Sequence, residues 1–269
     1  MEVSKMSKKM ITKILIGLAL VAVFVPIFLY GGIALDIIIA IVTLLAAYEI
    51  AGLRDESKPN WPMTILITAA ITLMSRVGQI NFIVFSGVWL IILFLIMMLD
   101  ETLTSDQVVY TFTMSIVMTL AVNGLLRIYD AGMKGAGALY VAIACYVCDT
   151  GAYFFGNFFG RHKLIPRISP NKTWEGAIGG YICGVILSML FGVFLADSIP
   201  NDLVVVASLI LPAVAEIGDL SFSAIKRRWN MKDFGSLFPE HGGVLDRIDS
   251  LLFCLMVFNF LMILWGIGL

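Results

Sequence analysis

The residues able to do chemistry crowd into one stretch, Glu216 to Ser250, which reads EIGDLSFSAIKRRWNMKDFGSLFPEHGGVLDRIDS. An apolar run ending at Ala215 passes into Glu216, Asp219, Ser223 and Lys226 with Arg227. Steps of three and four residues place these side chains on one face if the helix continues. A polar loop follows with Lys232, Asp233, Gly235 and His241-Gly242-Gly243, and then Asp246 and Asp249 open the last apolar segment at positions i and i+3. Carboxylates converging from two helix ends, beside Lys226, Arg227, Arg228, Lys232 and Arg247 and a glycine pair, suit a metal–phosphate complex. Hard oxygens hold Mg²⁺, lysine and arginine hold phosphate, and glycine lets backbone N–H groups come close. Charges at the ends of membrane helices can be topology signals alone. That reading leaves unexplained why acids and bases alternate here and why the acids reach into the apolar runs.

A second group lies upstream. Asp149 sits in the apolar run from Ala144 to Tyr153. An acid at the bilayer centre costs roughly 2.5–3.5 kcal/mol on insertion scales, so Asp149 is expected to line a polar cavity. The alternative is a protonated Asp149 bonded to a neighbouring helix. The loop that follows, Gly160 to Gly176, is basic. Ser169 before Pro170 resembles an N-cap with a first-turn proline, so a helix is predicted to begin there. Its N-terminus would offer free N–H groups and a positive dipole end beside Lys172 and Thr173, the makings of an anion site. A basic loop attracted to acidic lipid headgroups is the simpler reading, and the two are compatible.

The pattern Ser223-x-x-Lys226-Arg227, Lys232-Asp233-x-Gly235, Pro239-x-His241-Gly242-Gly243-x-x-Asp246-Arg247-x-Asp249 resembles the signature of the phosphatidate cytidylyltransferases, or CDP-diacylglycerol synthases, without departure over 27 positions. The Asp149-Thr150-Gly151-Ala152-Tyr153 helix and the segment from Ser169 to Gly176 resemble a second motif of the same family. The likeness covers about 140–250; the N-terminal half matches in hydropathy only. The resemblance implies an integral membrane enzyme that joins CTP to phosphatidic acid with Mg²⁺, giving CDP-diacylglycerol and pyrophosphate.

The whole chain is 269 residues, 60% hydrophobic and 14% charged, with a mean hydropathy of +0.97. Soluble globular chains carry about 25% charged residues, which excludes that class. Nine apolar runs approach the length that crosses a bilayer core, at 12–30, 32–53, 61–75, 80–99, 106–126, 136–157, 175–197, 203–225 and 248–268. They lack strand alternation, so the expected fold is all-α, a polytopic membrane protein with about nine transmembrane helices. Run 61–75 is the short one. With nine spans and a cytosolic N-terminus, fifteen Lys and Arg lie inside against Arg76, Arg127 and Lys134 outside; without 61–75 the split is nine to nine. The positive-inside rule therefore favours nine spans, with loops 158–174 and 226–247 in the cytosol and the protein in the inner membrane. The chain divides into scaffold helices, 1–130, and a catalytic region, 131–269. The first run has basic residues before it but no small-x-small cleavage site after it, so it is read as a retained span. Cys145, Cys148, Cys183 and Cys254 lie inside apolar runs and are read as small buried hydrophobes. Asp36 and Glu49, in span two, are assigned to no site.

Asp219 and Asp246 are the expected metal ligands, with Asp249 third and Glu216 fourth, and Lys226 joins the three aspartates as catalytic; a second cation is an option. Lys226, Arg227, Lys232 and Arg247 are expected on the CTP phosphates, with Gly242 and Gly243 letting the loop approach, and Ser223 is expected to bind substrate. His241 is read as a phosphate donor or loop hydrogen-bonder. Lys172 and Thr173 are expected at the phosphatidate headgroup, with Asp149 completing the cavity. No P-loop motif occurs. Expected partners are CTP and phosphatidic acid from the bilayer; no nucleic acid is expected, and a homodimer is left open. Two alternatives remain, a CTP-dependent polyprenol or lipid kinase and a proton-coupled secondary transporter.

Overall fold

The computed structural model describes residues 22, 25–52, 60–235 and 242–267. Most of the first apolar run, the loop 53–59 with Arg54 and Lys58, and His241 with Pro239 lie outside the described residues. Residues 25–30 are helical. After them come α1 (Gly32–Gly52), α2 (Trp61–Arg76), α3 (Gln79–Leu99), α4 (Ser105–Asp130) and α5 (Lys134–Phe159). A hairpin of β1 (Lys163–Ile165) and β2 (Ser169–Thr173) leads to α6 (Trp174–Leu195), α7 (Asn201–Arg228) and α8 (Leu245–Leu264). Among the described residues, seven of these helices are long and apolar enough to cross a membrane. The protein is an all-α multi-pass membrane protein.

The α1–α2 pair runs antiparallel, as contacts at both ends show: the Tyr48 and Trp61 rings pack with centroids 5.5 Å apart, and Arg76 meets Asp36 at 2.6 Å. Thus α2, although its 16 residues measure only about 24 Å, runs alongside α1 from Tyr48 back to Asp36. Asn60 caps it, accepting from the N–H of Met63, and Pro62 occupies its first turn. The side chains that cover no protein are apolar. On α3, Ile83, Ile91 and Met98 face outward, and on α6 so do Ile178, Ile182 and Phe194, as lipid-facing helices require.

Small residues set the closest packing. Gly151 and Gly156 of α5 oppose Gly180 and Gly176 of α6, and a Cβ on Gly180 would lie 2.5 Å from the Cys148 carbonyl. Close backbone approach of this kind is the usual device for joining helices in lipid. Pro212 sits inside α7, and the Cys148 thiol donates to its carbonyl at 3.4 Å while the Cys254 thiol donates to that of Leu211. The four cysteines are free, and Cys145, Cys148 and Cys254 are buried.

The helix predicted from Ser169 does not begin there. Ser169–Thr173 pairs with Lys163–Ile165 as an antiparallel strand, with Lys163 opposite Thr173. The cap is Thr173, whose hydroxyl accepts from Gly176 N–H at 3.1 Å, and Trp174 N–H closes the hairpin onto the His162 carbonyl. Ser169-Pro170 imitates a cap, but strand pairing holds both residues extended.

Candidate active site

The C-terminal ends of α1, α5 and α7, the N-terminal ends of α6 and α8, and the hairpin meet at one end of the bundle. The polar face anticipated on α7 forms there. Glu216 is buried, Asp219 and Ser223 are half-buried, and Lys226 is buried at the end of the row. Ser223 Oγ donates to Asp219 Oδ1 at 3.4 Å, one helical turn away.

Lys172 reaches this face from β2. Its Nζ lies 2.6 Å from Glu216 Oε2 and 2.7 Å from Asp219 Oδ2, so one ammonium bridges two carboxylates. Burial pulls the Lys172 pKa down, but Asp219 and Glu216 outweigh it and hold the group above the ordinary lysine value. Because β2 is a strand, Lys172, the residue before the α6 cap, is delivered sideways onto α7. Asp149 of α5 completes this group, within electrostatic reach of Asp219, Asp249, Lys172 and Glu216, and it makes no hydrogen bond or ion pair among the described residues.

A second group forms where α7 meets α8. Lys226 Nζ donates to Asp246 Oδ1 at 2.7 Å. The other oxygen of Asp246 accepts the N–H groups of Phe234 at 2.8 Å and Gly243 at 2.9 Å, so this carboxylate also ties the loop to the helix. Asp249 lies between the groups, within reach of both Asp219 and Asp246; one of its oxygens accepts the N–H of Ser250 at 2.8 Å. Among the described residues no three His, Cys, Asp or Glu are drawn together closely enough to enclose a metal by themselves. The lysine ammonium groups stand between the acids instead.

The remaining expected residues line the rim. Arg227 is exposed, its Nε donating to the Ile168 carbonyl at 3.3 Å and so linking α7 to the hairpin. Lys232 is exposed, and so is Arg247, whose carbonyl accepts the Tyr146 hydroxyl. Thr173 is buried with its hydroxyl committed to capping α6. Gly242 takes a φ of +78°, and its missing Cβ leaves room for Asp246 and Asp233.

Of the two carboxylates assigned to no site, one comes to this end of the bundle. Glu49, near the end of α1, is 5% exposed and accepts the N–H groups of Val244 at 2.6 Å and Leu245 at 2.8 Å. Its one sequence signal is an acid in the last turns of an apolar run. Asp36, the other unassigned acid, meets Arg76 at the opposite end of the bundle.

Comparison with known proteins shows the family. The model of the cytidylyltransferase family matches residues 11–265. A protein of Staphylococcus saprophyticus named phosphatidate cytidylyltransferase is 31% identical over 252 residues, covering 90% of this chain and 94% of the relative. Proteins of the same name from Staphylococcus haemolyticus and Staphylococcus aureus are 32% and 33% identical over the same shares of both chains. The chain belongs to the cytidylyltransferase family.

Proposed function

We propose that the protein transfers the cytidylyl group of CTP to phosphatidic acid, forming CDP-diacylglycerol and pyrophosphate for phospholipid synthesis. The observation that carries this reading is the pair of lysine–carboxylate clusters, Lys172 with Glu216 and Asp219 and Lys226 with Asp246, built side by side at one bundle end. A phosphate oxygen of phosphatidic acid attacks the α-phosphorus of CTP. The new P–O bond forms as the bond to the β-phosphate oxygen breaks, and pyrophosphate leaves with the electron pair. The attacking phosphate is already an anion, so the protein needs to position and neutralise more than to move protons.

By donor type, rather than by their spacing around the lysines, the carboxylates suit a hard divalent cation. Glu49, Asp149, Glu216, Asp219, Asp246 and Asp249 are buried or half-buried against two similarly shielded lysines, Lys172 and Lys226, and all are oxygen donors of the kind Mg²⁺ prefers. Asp219 and Asp249, with Asp246 and Glu216, would hold it, and a second ion follows the same chemistry. When bound, Mg²⁺ supplies positive charge to the triphosphate and its leaving group. Lys226, Arg227, Lys232, His241 and Arg247 serve the nucleotide phosphates, and Gly242 and Gly243 let the loop backbone come close. Lys172 serves the phosphatidate headgroup with Asp149 beside it, while Thr173, buried and capping α6, holds the hairpin to the helix behind them. The lipid arrives laterally, from the leaflet that this end faces. The distribution of Lys and Arg supports placing that end in the cytosol.

Labelled CTP tests the reaction class. With purified protein, phosphatidic acid and Mg²⁺, label at the α-phosphate should enter the lipid phase and label at the γ-phosphate should leave as pyrophosphate. Transfer of the γ-label into lipid would mean a kinase. Solute flux into liposomes without lipid turnover would mean a transporter.

A further inference from the structure

The α8 helix begins without a cap of its own. Its N-cap residue, Val244, has no side-chain oxygen to accept an N–H, and buried first-turn N–H groups need a partner. The partner comes from 195 positions away. Glu49 Oε1 accepts Val244 N–H and Glu49 Oε2 accepts Leu245 N–H, so both oxygens of one carboxylate close the helix start. The surroundings are shaped for it. A Cβ on Gly243 would collide with both Glu49 oxygens, and one on Gly235 would lie 3.0 Å from Oε1. Gly235 and Gly243 belong to the polar loop that Asp246 ties down through the N–H groups of Phe234 and Gly243. Glu49 and Asp246 thus grip successive N–H groups, at residues 243, 244 and 245.

We infer that Glu49 is a positioning residue for the nucleotide loop: its carboxylate, delivered by a helix outside the catalytic half, fixes the backbone of residues 242–245, which Asp246 ties to Phe234. An in-chain carboxylate fills the α8 N-terminus, so that helix end holds the loop and is not offered to a phosphate. One glycine of the pair has its reason here. Gly243 has no Cβ because Glu49 occupies the space, whereas Gly242 answers to its φ and to Asp246. The inference rests on the reading that this loop serves CTP.

The test is steady-state kinetics of the full chain in detergent with Mg²⁺, CTP and phosphatidic acid, for Glu49→Gln, Glu49→Ala, Gly243→Ala and the double variant Glu49→Ala with Gly243→Ala. Glu49→Gln keeps the shape but sets an NH₂ against one backbone N–H; it should raise the KM for CTP on the order of tenfold and leave the KM for phosphatidic acid unchanged. Gly243→Ala should do the same. The losses should be non-additive in the double variant, because the added methyl no longer meets a carboxylate. Asp36→Asn, at the far end of α1, is the control and should match the parent. Unchanged KM for CTP in both Glu49 variants, or equal rises for both substrates, would overturn the clasp. A rise confined to phosphatidic acid would overturn the premise that the loop serves CTP. If Glu49→Ala does not fold, Glu49→Gln and Gly243→Ala carry the result.

Discussion

Lys172 lies 44 positions before Glu216 in the chain, yet its Nζ donates to Glu216 Oε2 at 2.6 Å and reaches Asp219 in the same grip. That contact fastens the hairpin after α5 to the middle of the polar face on α7. It brings the residues expected for the lipid headgroup beside those expected for the metal.

Removing the ammonium should leave two partly buried carboxylates facing each other. Lys172→Gln should abolish turnover and lower stability by about 1–3 kcal/mol, below the 3–5 kcal/mol of a fully buried pair because Asp219 stays about a third exposed. Adding Glu216→Gln should recover much of the stability and none of the activity. Thermal melting and lipid-label incorporation read the two separately.

The same contact predicts a pH dependence. The folded Lys172 pKa lies above its unfolded value of about 10.4, so its contribution is complete below that value and is lost as pH rises past it. The melting difference between parent and Lys172→Gln should hold constant through neutrality and narrow only above about pH 10.4. Narrowing near neutrality would contradict the ion pair.

Asp219 and Asp246 should separate in stability. Asp219 meets Lys172 and Ser223, whereas Asp246 meets Lys226 and two loop N–H groups. Hydrogen bonds to charged groups contribute about 1.5–3 kcal/mol each, so Asp246→Ala should lower the melting temperature more than Asp219→Ala. Equal melting shifts would show that the loop does not depend on Asp246.

The α5–α6 seam offers a test remote from any charge. Gly180→Ala places a methyl 2.5 Å from the Cys148 carbonyl and 2.7 Å from the Ala152 nitrogen. Overpacking of this kind costs typically 1–3 kcal/mol. By parting α5 from α6 it should also lower turnover through the placing of Asp149 and Lys172.

The residues on α7 were legible in the sequence because a helix imposes a fixed period, and Glu216, Asp219, Ser223 and Lys226 follow it. Seven of the nine expected spans were legible from hydropathy alone, because length and composition suffice for them; run 61–75 forms the shorter α2, and most of run 12–30 lies outside the described residues. The hairpin was not. Ser169-Pro170 carries the local marks of a helix start, and only the pairing of Lys163 with Thr173 shows why the helix waits for Trp174. Glu49 was hidden more deeply, since its partners are backbone N–H groups, which leave no mark on residue identity, in a part of the chain 195 positions away. Beyond an acid in the last turns of an apolar run, two glycines and a capless Val244 at the far end of the chain were its trace.

The central claim is that the clustered carboxylates carry a cytidylyl transfer that depends on a divalent cation. The most direct measurement follows α-labelled CTP into lipid for the parent, with and without chelator, and for folded Asp219→Asn and Asp249→Asn. Incorporation should vanish with the chelator, return with Mg²⁺, and stay absent in both variants. Near-parental incorporation by either folded variant, or by the chelated parent, would contradict it.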